Sequence, residues 1–418
     1  MKTCRGHFSI GAAVTALVIA FQVKKGKLLV GQAGGATAVI NSSLVGVISE
    51  AQSSGAFDAI WGMRRAAEGA LQGDLVDLTG ISPAGLAALA ATPGAALTSS
   101  RHKLSDDDVE RLLDLFRKYD IRAFLYIGGN DSADTVHRLA RMAAYGGQEL
   151  AAIAVPKTID NDLPETDHSP GYGSIARYVA IATMDSAQDT ESMPTMYPVK
   201  FLEVMGRDAG WVAAAAGLAK RQEEDAPHLI YTPEIRLSRE RLLADVERVY
   251  QMYGRVVAVT AETVRDESGH PFADTGAELD AFGHPLWRGT AAGMCRLVQS
   301  EMGLRSRFDK PGSLQRMSMA HVSPVDLTEA AEVGRAAVRL ALSGAGDRMI
   351  TIVRDSNQPY ASHTKDVELH LVANRQRLMP LDYLGSDGSV TDAFREYAMP
   401  LLGPEPLPRY PRLDDLLS

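Results

Sequence analysis

Short apolar runs that enter a tight turn and then a helical stretch recur along this chain, and they restrict its fold more than any other feature. Lys27-Leu-Leu-Val-Gly31 leads through Gly34-Gly35 to Asn41 and a helix to about Ser53. Arg122 to Ile127 runs into Gly128-Gly129-Asn130-Asp131-Ser132 and a helix from about Ala133 to Tyr145. Phe201 to Val204 runs into Met205-Gly206-Arg207 and a further helix. Leu150 to Val155 reads as a buried strand that Pro156 stops by removing a ladder donor. Ala59–Gly62, Arg255–Thr260, Arg348–Val353 and a strand ending at Glu234 add to the set. Asp106–Tyr119, capped by Ser105, reads as an amphipathic helix, and Val325–Ser343 as a long helix. Strands alternating with helices predict a doubly wound α/β fold. In such sheets ligands bind beyond the C-terminal ends of the strands.

Two of these turns are candidate anion cradles. Gly34-Gly35 and Gly128-Gly129 let the backbone approach a ligand near a helix N-terminus, where free N–H groups favour negative charge. A tight strand–helix turn with no ligand reads the same way. Neither is a dinucleotide fingerprint, and no P-loop consensus occurs in the chain. The densest chemistry follows Pro156: Lys157-Thr-Ile-Asp-Asn-Asp162 sets a cation, two carboxylates and two small polar groups at a strand's C-terminal end.

The 418 residues, 45% hydrophobic and 23% charged, suffice for two domains. Net charge is −9 and no basic block stands out, which argues against a nucleic-acid partner. Cys4 and Cys295 make no disulfide framework, so a reducing cytoplasm is expected. Without a Cys/His cluster, any metal would be held by oxygen ligands. Phe8 to Val23, after Lys2 and Arg5, looks like a weak signal peptide but is short for a membrane span. No small-residue cleavage site precedes Lys24-Lys25, so residues 1–26 read as an extension or a misplaced start.

Pro156-Lys-Thr-Ile-Asp-Asn-Asp162 resembles the signature of the phosphofructokinase family in the form found in its pyrophosphate-using members. Met205-Gly206-Arg207, the Gly34-Gly35 turn, the Gly128-Gly129 cradle and Gly312-Ser-Leu-Gln-Arg316 resemble further family segments, and the likeness runs from Lys27 to about Leu402. It implies two similar doubly wound (Rossmann-like) domains around an active-site cleft. Residues 27–171 with about 314–372 would bind the phosphoryl donor; about 172–313 with 373–418 would bind the sugar phosphate.

The implied reaction is Mg²⁺-dependent, reversible phosphoryl transfer from pyrophosphate to the 1-hydroxyl of fructose 6-phosphate. By the resemblance, Asp160 is the base, Arg207 stabilises the transferring group, and Asp162 orients the base or binds metal-linked water. Thr158, Ile159, Met205, Gly206, Glu234, Arg307, Ser313 and Arg316 would contact the sugar phosphate. Gly34, Gly35, Arg101, Asp131, Ser132 and Lys157 would face the donor. Arg307 has the spacing of a family Arg that reaches a neighbouring subunit, with Arg305 as competitor, which implies a homodimer or homotetramer.

Three departures bear on this expectation. Relatives usually carry Asp where this chain has Asn130, so the metal would be held through water or by Asp131. Asp131 and Lys157 stand where ATP-using relatives have Gly, and together they fill the nucleotide's room, which favours pyrophosphate. Ser313 replaces a His and leaves the acceptor open to another ketose phosphate such as sedoheptulose 7-phosphate. An ATP-dependent phosphofructokinase, a lipid or NAD kinase and a non-catalytic sugar-phosphate sensor are the rival readings.

Overall fold

The computed structural model describes residues 26–100, 102–272, 275–279, 285–287 and 289–417. Arg101, Cys4 and the Phe8–Val23 run lie outside the described residues. The first sheet contains β1 (Lys27–Gln32), β2 (Ala59–Met63), β3 (Leu75–Asp77), β4 (Ile121–Gly128) and β5 (Ala151–Pro156). The second contains β6 (Val199–Val204), β7 (Leu229–Tyr231), β8 (Val256–Ala261) and, after a separate antiparallel pair β9 (Thr275–Leu279) and β10 (Pro285–Trp287), β11 (Ser306–Asp309). The chain then returns to the first sheet as β12 (Arg348–Asn357) and β13 (Tyr360–Glu368).

The first sheet runs β13-β12-β5-β4-β1-β2-β3, with a parallel centre and one antiparallel strand at each edge. The second runs β11-β6-β8-β7 and is parallel throughout. This is the doubly wound α/β architecture predicted from the strand–helix alternation. The β12–β13 hairpin was not anticipated, because β13 alternates half-buried and exposed residues at a sheet edge and presents no buried run.

Register explains why the site forms where it does. β5, β4 and β1 are parallel neighbours, with Gly128 paired to Pro156 and Gln32 to Ile127. The turns after these three strands therefore emerge side by side at one level. Strand order reverses between β1 and β4, the topological switch point at which open α/β sheets bind ligands. In the second sheet β6 and β8 are likewise neighbours, so Met205 and Glu262 leave the sheet together; the Glu262 N–H donates to the Val204 carbonyl.

Two helices cover one face of the first sheet and pack on each other through glycines. A Cβ at Gly46 in helix Ile40–Ser54 would lie 2.0 Å from the Ala331 carbonyl oxygen. A Cβ at Gly334 in helix Pro324–Leu342 would lie 2.2 Å from that of Ser43. Only glycine permits such an approach. Apolar packing largely separates by sheet: residues 28–155, Leu163 and 333–372 contribute to the cores around the first, and Ile159, Tyr172–Val298 and Met379–Leu407 to the core around the second.

Helix boundaries differ from expectation in three places. Ile40–Ser54 begins five residues after Gly35, so the Gly34-Gly35 turn is not at its N-terminus. Asn130–Tyr145 begins at Asn130, which puts Asn130, Asp131 and Ser132 inside its first turn. The helix after Met205-Gly206-Arg207 has only five residues, Trp211–Ala215, so Arg207 does not stand at a helix end.

Candidate active site

The segment after β5 is shaped by Asn161. Its φ is +54°, in the left-handed region that asparagine tolerates better than most residues. Its buried side chain accepts from the Ser169 N–H at 3.0 Å and donates to the Tyr397 hydroxyl at 2.8 Å. With Asn161 pinned inward, Asp160 and Asp162 are held on either side of it. Thr158 accepts from the Asp160 N–H at 3.1 Å and pairs by its backbone with Gly171, tightening the turn. Ile159 is buried in the second sheet's core.

The Lys157 side chain is buried, and its ammonium donates to the Gly35 carbonyl at 2.8 Å. Burial pulls it down to about 8, against the attraction of Asp160 and with the repulsion of Arg316. Burial pushes the Asp160 carboxyl up to about 6, and the neighbouring Asp162 charge adds to this while Arg207 opposes it. Asp162 is also raised, chiefly by burial, against a 3.2 Å bond from the Gln376 amide. Gly34 and Gly35 complete this edge. A Cβ at Gly34, whose φ is +73°, would lie 3.2 Å from the Lys157 nitrogen, and one at Gly35 would lie 2.6 Å from the Arg316 guanidinium.

Lys157, Asp160, Asp162, Arg207, Arg316, Gly34 and Gly35 are thus brought together. Arg316 differs from expectation in its neighbours: it sits against Gly35 and the Lys157 charge, on the donor side. Its sequence neighbour Gln315 accepts from the Met205 N–H at 3.1 Å, so the helix Leu314–Met317 touches turns of both sheets. Gly206, with φ +115°, lets the Met205–Arg207 turn fold back toward Ala209, and the Arg207 side chain is exposed. Ser313 is exposed at the start of that short helix, and Asp131 is exposed beside Asn130.

Three expected residues are engaged elsewhere. Glu234 is a brace: one carboxylate oxygen accepts from the Gly210 and Met379 N–H groups at 2.7 and 3.1 Å, and the other is buried. That oxygen has no hydrogen-bond partner among the described residues. Arg307 lies on edge strand β11, pairs with Asp189 at 3.4 Å and stacks over Tyr197 at 4.4 Å. Within this chain it does not join the Asp160 group. Ser132 is buried, and a Cβ at Gly128 would lie 2.1 Å from its hydroxyl, so it packs under the turn.

Glu262 is the residue that sequence reasoning missed. It follows β8, and its carboxyl is raised, chiefly by burial, while Lys310 and Arg207 oppose the rise. It also adds to the upward push on Asp160. Its sequence signal was weak, an acid one residue past a buried strand.

The donor set suits a hard cation that keeps ligands of its own. Among the described residues no cluster of three or more His, Cys, Asp or Glu could cage a metal. Asp160 and Asp162 are instead two half-buried carboxylates, and the charge of Asp162 raises the cost of ionising Asp160. Mg²⁺ is held in this manner, by one or two carboxylates with water and substrate phosphates completing its shell. Asn130, the neutral residue, has its amide oriented by donation to the Arg375 carbonyl at 3.3 Å.

Comparison with known proteins agrees with this geometry. The family model described as Phosphofructokinase matches residues 27–341. The chain belongs to the phosphofructokinase family. It is 41% identical over 387 residues to a pyrophosphate–fructose 6-phosphate 1-phosphotransferase of Halomonas elongata, covering 91% of this chain and 92% of the relative. A protein of the same name from Xanthomonas campestris pv. campestris is 40% identical over 406 residues, covering 94% and 97%. The crystal structure of a pyrophosphate-dependent phosphofructokinase from Marinobacter aquaeolei matches with a TM-score of 0.83 and 37% identity, over 92% of this chain and 94% of that one.

Proposed function

We propose that this chain transfers a phosphoryl group reversibly between pyrophosphate and the 1-hydroxyl of fructose 6-phosphate, yielding fructose 1,6-bisphosphate and phosphate. The observation that carries the reading is the buried Lys157 ammonium bound to the Gly35 carbonyl. It fills space between the first glycine turn and the Asp160 segment and supplies a positive charge there. Such a site accommodates a compact anion and leaves less room for a nucleotide.

In the forward step the acceptor oxygen attacks one phosphorus of pyrophosphate. The new O–P bond forms as the bridging P–O bond breaks, orthophosphate departs, and the hydroxyl proton passes to Asp160. With a carboxyl near 6, Asp160 is largely ionised at pH 7 and still basic enough to take a proton in the transition state. Arg207 meets the charge that develops on the equatorial oxygens. Lys157, with Arg316 beside it, neutralises the leaving phosphate, while the Gly34-Gly35 backbone and Asp131 border the donor. Met205 and Gly206 line the acceptor pocket by their backbone, and Thr158 and Ser313 flank it. Glu262, rather than Glu234, supplies the carboxylate that orients sugar hydroxyls. Asp162 would hold Mg²⁺, with Asn130 or Asp131 acting through water. When bound, the ion offsets phosphate charge and fixes the donor's orientation.

The separation of the apolar cores supports a donor-binding domain of residues 27–171 with about 314–372, and a sugar-phosphate domain of about 172–313 with 373–418. Arg307, on an edge strand away from its own chain's Asp160, would reach a neighbouring copy in a homodimer or homotetramer by exchanging its contacts with Asp189 and Tyr197. Among the described residues no helix is long and apolar enough to cross a membrane, and a cytoplasmic location fits the two-cysteine composition.

The test is steady-state turnover of fructose 6-phosphate with Mg²⁺, comparing pyrophosphate with ATP, for the parent protein and Lys157→Gly. Turnover with pyrophosphate alone, lost in the variant, is expected. Turnover with ATP alone would overturn the donor assignment. No turnover with either donor would overturn the acceptor assignment or the enzymatic reading, and sedoheptulose 7-phosphate separates those two.

A further inference from the structure

Residues 375–379 form no regular secondary structure, yet they touch Asn130, the loop that carries Asp160 and Asp162, Trp211 and Glu234. The Arg377 N–H donates to the Asp162 carbonyl at 2.7 Å. Its guanidinium donates to the carbonyls of Asn161 at 2.9 Å, Thr166 at 2.7 Å and Asp167 at 2.8 Å. Those carbonyls lie on both limbs of the loop that carries Asp160 and Asp162, so one planar group cross-links it. The opposite side of Arg377 faces the other loop. Its guanidinium carbon lies 4.7 Å from the Trp211 ring centroid, and its carbonyl accepts from the Trp211 indole at 3.4 Å. Trp211 is buried four residues after Arg207. Two residues on, the Met379 N–H shares the Glu234 oxygen that also receives the Gly210 N–H. Arg375 takes the Asn130 amide, and Gln376 reaches Asp162.

We propose that Arg375–Met379 is a positioning strap and that Arg377 is its central residue, setting the Asp160–Asp162 loop against the Met205–Trp211 loop. The inference rests on the phosphoryl-transfer reading given above, because it assigns Asp160 and Arg207 to one reacting centre. Arginine suits this position because its rigid fork satisfies three carbonyls while its face stacks on an aromatic ring, a combination that a lysine ammonium cannot supply. Arg377 touches no reacting atom. Its effect is on where Asp160 lies relative to Arg207, and a displacement of about 1 Å in such a pair is worth about 100-fold in rate.

The test compares the parent with Arg377→Lys and Arg377→Ala by two measurements. Hydrogen exchange needs no turnover. Segments 158–168 and 206–212 are expected to exchange faster together in both variants, while the distant helix Arg239–Tyr253 keeps its protection. Faster exchange in one loop only, or equally through the whole molecule, would overturn the coupling. Kinetics are then taken at a temperature where each variant is fully folded. A fall in kcat of about 100-fold, with KM for pyrophosphate and fructose 6-phosphate within about threefold, is expected. A kcat within about threefold of the parent would reduce the strap to a structural brace. If Arg377→Ala does not fold, Arg377→Lys alone decides both measurements. A parent without turnover counts against the phosphoryl-transfer reading, and the exchange result still decides the coupling.

Discussion

The Lys157 ammonium and the Gly35 carbonyl meet at 2.8 Å across the topological switch of the first sheet. Gly35 in turn abuts Arg316, so the two cations are spaced by a glycine that has no room for a side chain. An alanine at 35 would place its methyl 2.6 Å from the guanidinium, and the flexible arginine would yield before the backbone does. Gly35→Ala is therefore expected to reproduce Arg316→Ala in pyrophosphate-dependent kcat/KM, each lowering it about tenfold or more. The double variant should lose little beyond either single one, since residues in contact do not add. A double-mutant cycle on kcat/KM checks this, and fully additive losses would refute it.

Asp160 and Lys157 set opposite limbs of one pH profile. Activity needs Asp160 ionised, so it should rise through about pH 6. It needs Lys157 protonated, so it should fall through about pH 8. The kcat/KM profile of the free enzyme is expected to be a bell with limbs near those values. Lys157→Arg should move the alkaline limb upward, because the guanidinium stays charged.

Glu262 and Glu234 should part company under the same isosteric change. Glu262→Gln removes a charge coupled to Arg207 and Asp160, and KM for fructose 6-phosphate should rise about tenfold with little change in the melting temperature. Glu234→Gln weakens the carboxylate that receives two backbone N–H groups, and should cost about 1–3 kcal/mol of stability. Paired kinetics and thermal melts distinguish them; the reverse pattern would return the sugar-binding role to Glu234.

His168 makes stability depend on pH in a defined direction. It is buried between Asp167 at 2.8 Å and Glu329 at 2.6 Å. Burial alone would lower it, but the two carboxylates outweigh that and raise it to about 9. The stabilisation is fully present below the ordinary histidine value of 6.5 and is lost as pH rises through about 9. Asp167 and Glu329 are held below their usual values, so their share is lost on acidification. Stability from this triad should peak between about pH 4.5 and 6.5 and decline by on the order of 2–3 kcal/mol toward pH 9.5. In His168→Gln that alkaline decline should flatten in chemical denaturation series run across the range.

Lys157, Asp160 and Asp162 could be located from the chain alone because they lie within six residues, at the end of a buried strand whose direction the apolar run discloses. The glycine turns after β1, β4 and β6 were legible for the same reason. Local chemistry named these groups, and the α/β alternation predicted that ligands would bind beyond the C-terminal ends of their strands. Their partners were hidden. Arg316 lies more than 150 residues from Lys157 and faces the donor side only because helix Leu314–Met317 lodges between turns of two sheets. Glu262 comes beside the Met205 turn through the β6–β8 register, and one Glu234 oxygen is taken by backbone N–H groups from two other segments. Arg377 carries no local signal, since an arginine in an irregular stretch reads as solvated surface. What the sequence determined by itself was the alternation, the turns and the chemistry inside each short motif, which depend on residues a few positions apart. What tertiary structure decided was which charges face one another, because burial and Coulombic coupling depend on distance in space and no local pattern records it.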